Sequence, residues 1–325
     1  MLFFTANDGV HGRELWKSAG TAAGTVLLKD ITLGDNKDGP GWLTPFGDTL
    51  IFTADEKGYD SSVWKTDGTE AGTTLLKDIP SGSYPESYTV VGDTAYFSVL
   101  LDNFGYALWK TDGTEAGTVQ VKRMSMDIYN DGRARQLINF NGALFFAGDD
   151  AVHGEELWKS DGTEAGTVLV KDINTTSATA SSYPYMLAVV GDKLFFVAED
   201  GVHGRELWVS DGTPAGTKLV KDLVSGPDDG IDHNAFGWPG AVGAGGVLFL
   251  APKEWDNDWL YRSDGTSAGT QRFDLKRPIG LLAVGDIVYT AADTDPTGWE
   301  LWKIAVVELS QRLHVPFVTV GSPPR

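Results

Sequence analysis

Three short runs of this 325-residue chain repeat one arrangement of titratable side chains. Asp8, His11 and Glu14 stand three residues apart, and Asp150, His153 and Glu156 keep that spacing, as do Asp200, His203 and Glu206. Asp, His and Glu are hard or borderline ligands, so each run could hold a divalent cation such as Ca2+. Each could equally brace a turn, with the imidazole hydrogen-bonded to a carboxylate. His and Glu go nearly together within the chain: the matching positions elsewhere hold Tyr59 and Ser62, Phe104 and Ala107, and Asp256 and Trp259, while one further copy keeps Glu300 with Thr297. This joint loss predicts that the two side chains touch.

A second set of reactive residues lies in segments without a repeated pattern. One segment carries Asp127, Tyr129, Arg133 and Arg135; another carries Asp232, His233 and Trp238; Trp42 and Tyr185 stand near others. Aromatic rings beside Asp and Arg suit a carbohydrate, whose faces stack on rings and whose hydroxyls need fixed polar partners. Trp238, Asp232, Asp127, Tyr185 and Trp42 are therefore the candidate ligand contacts. A lyase would need a base, which His233 or Tyr129 could supply, and a cation for a uronic carboxylate, which Arg133 and Arg135 could supply. The same aromatics could instead pack the loops that carry them. No nucleophile elbow, Walker loop, HExxH run or dinucleotide fingerprint is present.

The elements that must position these residues are set by a repeat. A Trp recurs at Trp16, Trp64, Trp109, Trp158, Trp208 and Trp302, with Tyr261 in its place once, at separations of 48, 45, 49, 50, 53 and 41 residues. Copy five is the cleanest. Residues 186–190, 193–198, 205–210 and 217–223 read as four short strands, A to D, separated by turns rich in Gly and Asp. Strands B and D are apolar on consecutive residues, as at Leu194-Phe195-Phe196-Val197, which implies a sheet covered on both faces. Four-stranded sheets at this period describe propeller blades. The reading is one all-β domain over residues 1–325, a seven-bladed β-propeller. Copy one lacks strand A, and residues 314–321 resemble one, so the C-terminal strand is expected to join the first blade and close the ring. Strand D of copy seven is expected near residues 305–309. Turns A–B and C–D would share one end of the sheets, and turns B–C and the D–A crossovers the other. The second end is varied and is the expected functional face.

Composition narrows the partners. Net charge is −19, from 45 acidic and 26 basic side chains, which disfavours nucleic acid and anionic membranes. There is no cysteine, hence no disulfide or thiolate metal site. No run approaches the roughly 18 apolar residues of a membrane span.

The runs Glu14-Leu15-Trp16, Glu156-Leu157-Trp158-Lys159-Ser160-Asp161-Gly162-Thr163 and Glu206-Leu207-Trp208-Val209-Ser210-Asp211-Gly212-Thr213 resemble the ELWxxDGT repeat family, found mostly in large secreted or surface-associated bacterial proteins. The resemblance implies a propeller-like body that is secreted or at the cell surface, and no particular activity. The expectation is a monomeric extracellular propeller that binds a glycan or protein or acts as a scaffold, with no required cofactor and Ca2+ as an optional ion. The alternative is a carbohydrate-active enzyme, a polysaccharide lyase or glycoside hydrolase, with its site at the mouth of the central channel.

Overall fold

The Asp-Gly-Thr turn that follows the repeated Trp folds as its hydrogen bonds demand. In copy five the Asp211 carboxylate accepts the Thr213 amide at 2.9 Å and the Thr213 hydroxyl at 2.7 Å. Ser210 accepts the Gly212 amide at 2.9 Å and donates to Thr217 Oγ1 at 2.7 Å, which in turn donates to the Thr213 carbonyl. Gly212 has φ +88°, which glycine adopts without a Cβ penalty. The same hydroxyl pair closes the turn at Thr66–Thr73, Thr111–Thr118, Ser160–Thr167 and Ser263–Thr270. Copy one has Ala19 in place of the Asp and still keeps the Ser18–Thr25 pair, at 2.8 Å. Each turn thus fixes a hairpin between the Trp strand and the strand after it.

The computed structural model describes residues 1–32, 39–56, 61–79, 83–101, 105–124, 135–231, 240–251, 259–293, 298–305 and 315–316. Among the described residues there are only strands, turns and loops. β1 (Leu2–Asn7), β2 (Arg13–Ser18) and β3 (Thr25–Lys29) form a three-stranded first sheet. The second is β4 (Gly41–Phe46), β5 (Thr49–Asp55), β6 (Ser61–Thr66) and β7 (Thr74–Lys77). The third is β8 (Tyr84–Val91), β9 (Thr94–Leu100), β10 (Tyr106–Thr111) and β11 (Val119–Arg123). The fourth is β12 (Arg135–Phe140), β13 (Ala143–Asp149), β14 (Glu155–Ser160) and β15 (Val168–Lys171). The fifth is β16 (Tyr185–Val190), β17 (Lys193–Glu199), β18 (Arg205–Ser210) and β19 (Lys218–Lys221). Copies six and seven form one continuous sheet, β20 (Gly240–Ala244), β21 (Val247–Ala251), β22 (Trp259–Ser263), β23 (Gln271–Val284), β24 (Ile287–Asp293), β25 (Trp299–Ala305) and β26 (Val315–Pro316). β23 serves as strand D of copy six and strand A of copy seven. All described strand pairs are antiparallel and join neighbours in sequence, as expected of blades.

Two compact units divide the chain, residues 1–169 and 170–325. Within each, one packing rule repeats. One face of a sheet packs on the facing side of the next sheet in the same unit. In the first unit Phe3, Leu15 and Leu28 pack on Leu50, Phe52, Ala54 and Trp64. Ile51, Val63 and Leu76 pack on Ala95, Phe97 and Val99. Tyr96, Leu108 and Val121 pack on Leu144, Phe146 and Trp158. In the second unit Phe195, Val197, Leu207 and Val209 pack on Leu248 and Tyr261, and Phe249 and Leu260 pack on Val288, Ala292 and Trp302. The apolar runs in strand B are therefore explained: consecutive side chains point to opposite faces, and both faces are covered.

Lysines tie the copies together. Lys29 and Lys122 donate to the carbonyls of Thr73 and Thr167, one copy on, while their ammonium groups lie 5.9 and 5.3 Å from the rings of Trp64 and Trp158. Lys171 repeats the pattern with Thr217 and Trp208. A cation over an indole and a carbonyl at its head satisfy an otherwise costly half-buried charge.

The closing strand departs from expectation. Val315 and Pro316 pair with Lys303 and Trp302 of β25, so this segment is the fourth strand of the seventh copy rather than the first strand of copy one. The reason is local. Copy seven lacks the Asp-Gly-Thr turn after Trp302, so the signal for a short hairpin onto β25 is missing, and Val315 and Pro316 take its edge. The strand expected near residues 305–309 falls, beyond Ala305, outside the described residues, as does the rest of 314–321.

Candidate functional site

The Asp-x-x-His turns are built identically three times. Asp200 Oδ1 accepts the amides of Val202 and His203, both at 2.9 Å, and Oδ2 accepts His203 Nδ1 at 2.8 Å. Asp8 does the same for Val10 and His11, and Asp150 for Val152 and His153. One carboxylate thus fixes both the turn and the ring. The amide and imidazole of His11 hold the Asp8 carboxyl well below the usual carboxylate range. The paired Asp raises His11 and His203 above the ordinary imidazole value.

In copies one and five the Glu three residues on goes elsewhere, and the expected His–Glu contact is replaced by two separate ones. Glu14 is fully buried and accepts the amides of Ile31 at 3.0 Å and Thr32 at 2.7 Å, together with the Thr32 hydroxyl. Glu206, also fully buried, accepts the Val224 amide at 3.2 Å. In both, the carboxylate meets the start of the D–A crossover. Burial pushes Glu14 up and raises Glu206 to about 7, with Asp222 and Asp229 adding to the latter. Among the described residues no three His, Asp or Glu side chains converge as a metal would require.

Crossovers and B–C turns do share one end of their sheets. The Arg205 amide and guanidinium donate to Asp229 at 2.8 and 3.0 Å, and the Arg205 carbonyl accepts the amides of Gly230 and Ile231. Gly230 lies against the Glu206 carboxylate with no room for a Cβ. The 174–182 segment is closed by Asn174, which donates to the Ser181 carbonyl at 2.9 Å, and the Ser182 carbonyl accepts the Glu199 amide. Its Thr176 sits on Gly201 of the B–C turn.

Of the candidate ligand contacts, Trp42 and Tyr185 are placed. Trp42 is 45 % exposed with φ +55°. Ser87, Gln136 and Met186 take the same conformation at the same strand A bulge, so the strain belongs to the repeat rather than to Trp42 alone. Tyr185 donates to the Ile231 carbonyl at 3.0 Å and packs beside the core of copy five. Arg135 begins β12, its backbone opposite Ala147. Asp127, Tyr129, Arg133, Asp232, His233 and Trp238 lie outside the described residues. Sequence reasoning missed the Arg205–Asp229 clasp and the role of Glu14. The recurrent Lys-Asp pair that ends strand D, at Lys29-Asp30, Lys77-Asp78, Lys171-Asp172 and Lys221-Asp222, marks where these four crossovers begin and was the available signal.

No family description and no curated protein matches the chain. Among solved structures it is similar to one from a structural and mechanistic analysis of two prolyl endopeptidases, with TM-score 0.51, 14% identity and coverage of 94% of this chain and 45% of that one. This chain therefore spans less than half the length of that protein. It is also similar to the computationally designed Ika8 protein, with TM-score 0.47, 12% identity and coverage of 87% and 75%. The first likeness supports a propeller-like all-β fold.

Proposed function

We propose that the chain is a secreted or surface-exposed module of seven propeller blades that binds a glycan or a protein through its B–C turns and crossovers, or presents them as a scaffold. The observation that carries this reading is the contrast between the two ends of the sheets. One end repeats a single turn clip. At the other, crossovers differ in length and content, and two of them are fastened from below: one by the buried Glu14 to Ile31 and Thr32, another by the buried Glu206 to Val224 and by Arg205 to Asp229. Loops that vary in content and are held from below lower the ordering cost of binding. The acidic net charge of −19 favours neutral or cationic partners over polyanions. The extracellular placement is supported by the resemblance to ELWxxDGT repeats.

Affinity electrophoresis through gels carrying neutral and acidic polysaccharides, with Ca2+ and with chelator, tests this. Retardation on an intact neutral polymer is the expected result. A cleared zone would replace the binding module with a carbohydrate-active enzyme. Free migration in every gel, joined to failure to capture any extracellular protein, would refute the binding role.

A further inference from the structure

One surface aromatic of the second unit stands on an unusual backbone. Tyr183 has φ +48° and is 38 % exposed. A bulky residue seldom adopts left-handed backbone, and a residue that precedes proline, here Pro184, is pushed toward extended backbone. The Tyr-Pro pair itself does not demand the conformation. Tyr84-Pro85 stands at the same place in copy three, where Tyr84 is half-buried and begins the extended β8. Nor does the ring fill the core: Tyr185, Met186 and Ala188 pack against the core of copy five, while Tyr183 stays at the surface. Strain kept where the side chain completes no core points to function.

The neighbours of Tyr183 hold it in place. Ser182 and Pro184, on either side, are buried. The Ser182 carbonyl accepts the Glu199 amide at 2.9 Å, and Tyr185 is anchored on Ile231. The bond from Asn174 to the Ser181 carbonyl closes residues 174–181 into a loop whose neck lies two residues before Tyr183. Inside the loop Thr176 donates to Asn174 at 2.7 Å, and the Ala180 amide to the Ser177 carbonyl at 3.3 Å. The ring therefore projects from a backbone that is fixed before any ligand arrives, which lowers the cost of binding.

The surroundings select the ligand. Residues 173–191 contain no Asp, Glu, Lys, Arg or His, and the loop exposes the hydroxyls of Thr175, Ser177 and Thr179. The crossover that follows copy five carries Asp222, Asp228 and Asp229 instead. A surface ring beside uncharged hydroxyls suits a molecule with an apolar face, a rim of hydroxyls and no charge. We infer that Tyr183 is the stacking platform of a binding site for a neutral saccharide, with the hydroxyls of the 174–181 loop as its polar partners. This assignment rests on the binding role proposed for the crossover end of the sheets and names one ligand class for it.

Tyr183→Gly separates binding from folding. Glycine takes φ +48° without a Cβ penalty, so this variant should melt at the parent's temperature or above it while lacking the ring. Tyr183→Phe keeps the ring. The parent and both variants are run through gels carrying hydroxyethylcellulose, galactomannan or soluble starch, and through gels carrying pectate or alginate. The expected result is retardation of the parent and of Tyr183→Phe by a neutral polymer, with the affinity of Tyr183→Gly lower by about tenfold or more. Equal retardation of the parent and Tyr183→Gly would overturn the platform and leave the binding role standing. Retardation by the acidic polymers alone would do the same. Free migration of the parent in every gel would remove the saccharide site, and the binding role with it if protein capture also fails. A Tyr183→Gly variant that melts well below the parent would show that the ring serves the fold, which overturns the assignment too.

Discussion

At the scale of the residue, the buried glutamates show how a conformational role produces an unusual acid. Glu206 is enclosed because its carboxylate must meet the crossover, and its neighbours Asp222 and Asp229 are also acidic. Its folded pKa, about 7, exceeds the ordinary 4.5. The folded state therefore holds a proton that the unfolded state releases. The stabilisation this gives is complete below about 4.5 and is lost as pH rises through about 7. His203, raised by Asp200, acts with the same sign above 6.5. We expect the melting temperature to fall between pH 5 and 8. Glu206→Gln, which keeps an acceptor for Val224 without the ionisation, should remove part of that slope, worth roughly a few degrees. An unchanged slope in the variant would show that other groups carry it. The Asp-His spacing was legible in sequence as a turn or a metal site. The turn is what its hydrogen bonds describe, with the Asp taking two amides and a ring nitrogen. The destination of Glu was not legible, since a strand position gives the face of a side chain but not what lies across from it.

At the scale of the element, the strand pattern was readable almost throughout because Gly-Asp and Asp-Gly-Thr turns set the hairpins locally. Copy five matches its expected strands within about two residues at each end, ordinary fraying for such boundaries. The exception is β26, where the turn signal is missing and edge pairing, a long-range event, decides. The crossovers were legible only as breaks in the repeat. Their fastening depends on residues that carry no local pattern, Arg205 and Asp229 above all. Arg205→Ala should leave the blade intact, since the Trp strand is held by backbone pairing and the core of copy five. It should loosen residues 223–231, raising amide exchange at Gly230 and Ile231 about tenfold while Leu207 and Trp208 keep their protection. Equal exchange in variant and parent would mean that the Arg205 carbonyl and Glu206 hold the crossover without the guanidinium.

At the scale of the whole molecule, the chain carries a net charge of −19, from 45 acidic and 26 basic side chains. Like charges held in one compact body repel one another more than in the longer unfolded chain, so the surplus opposes folding. That repulsion acts over a Debye length of about 10 Å at 0.1 M salt and about 30 Å at 0.01 M, so added salt screens it. Burial of the apolar sheet faces does not depend on charge and remains. The melting temperature should therefore rise as NaCl goes from about 0.02 to about 0.5 M, read by calorimetry at fixed pH. Ion pairs work in the other direction, since salt weakens them. A melting temperature that falls with salt would mean that pairs such as Arg205–Asp229 outweigh the summed repulsion.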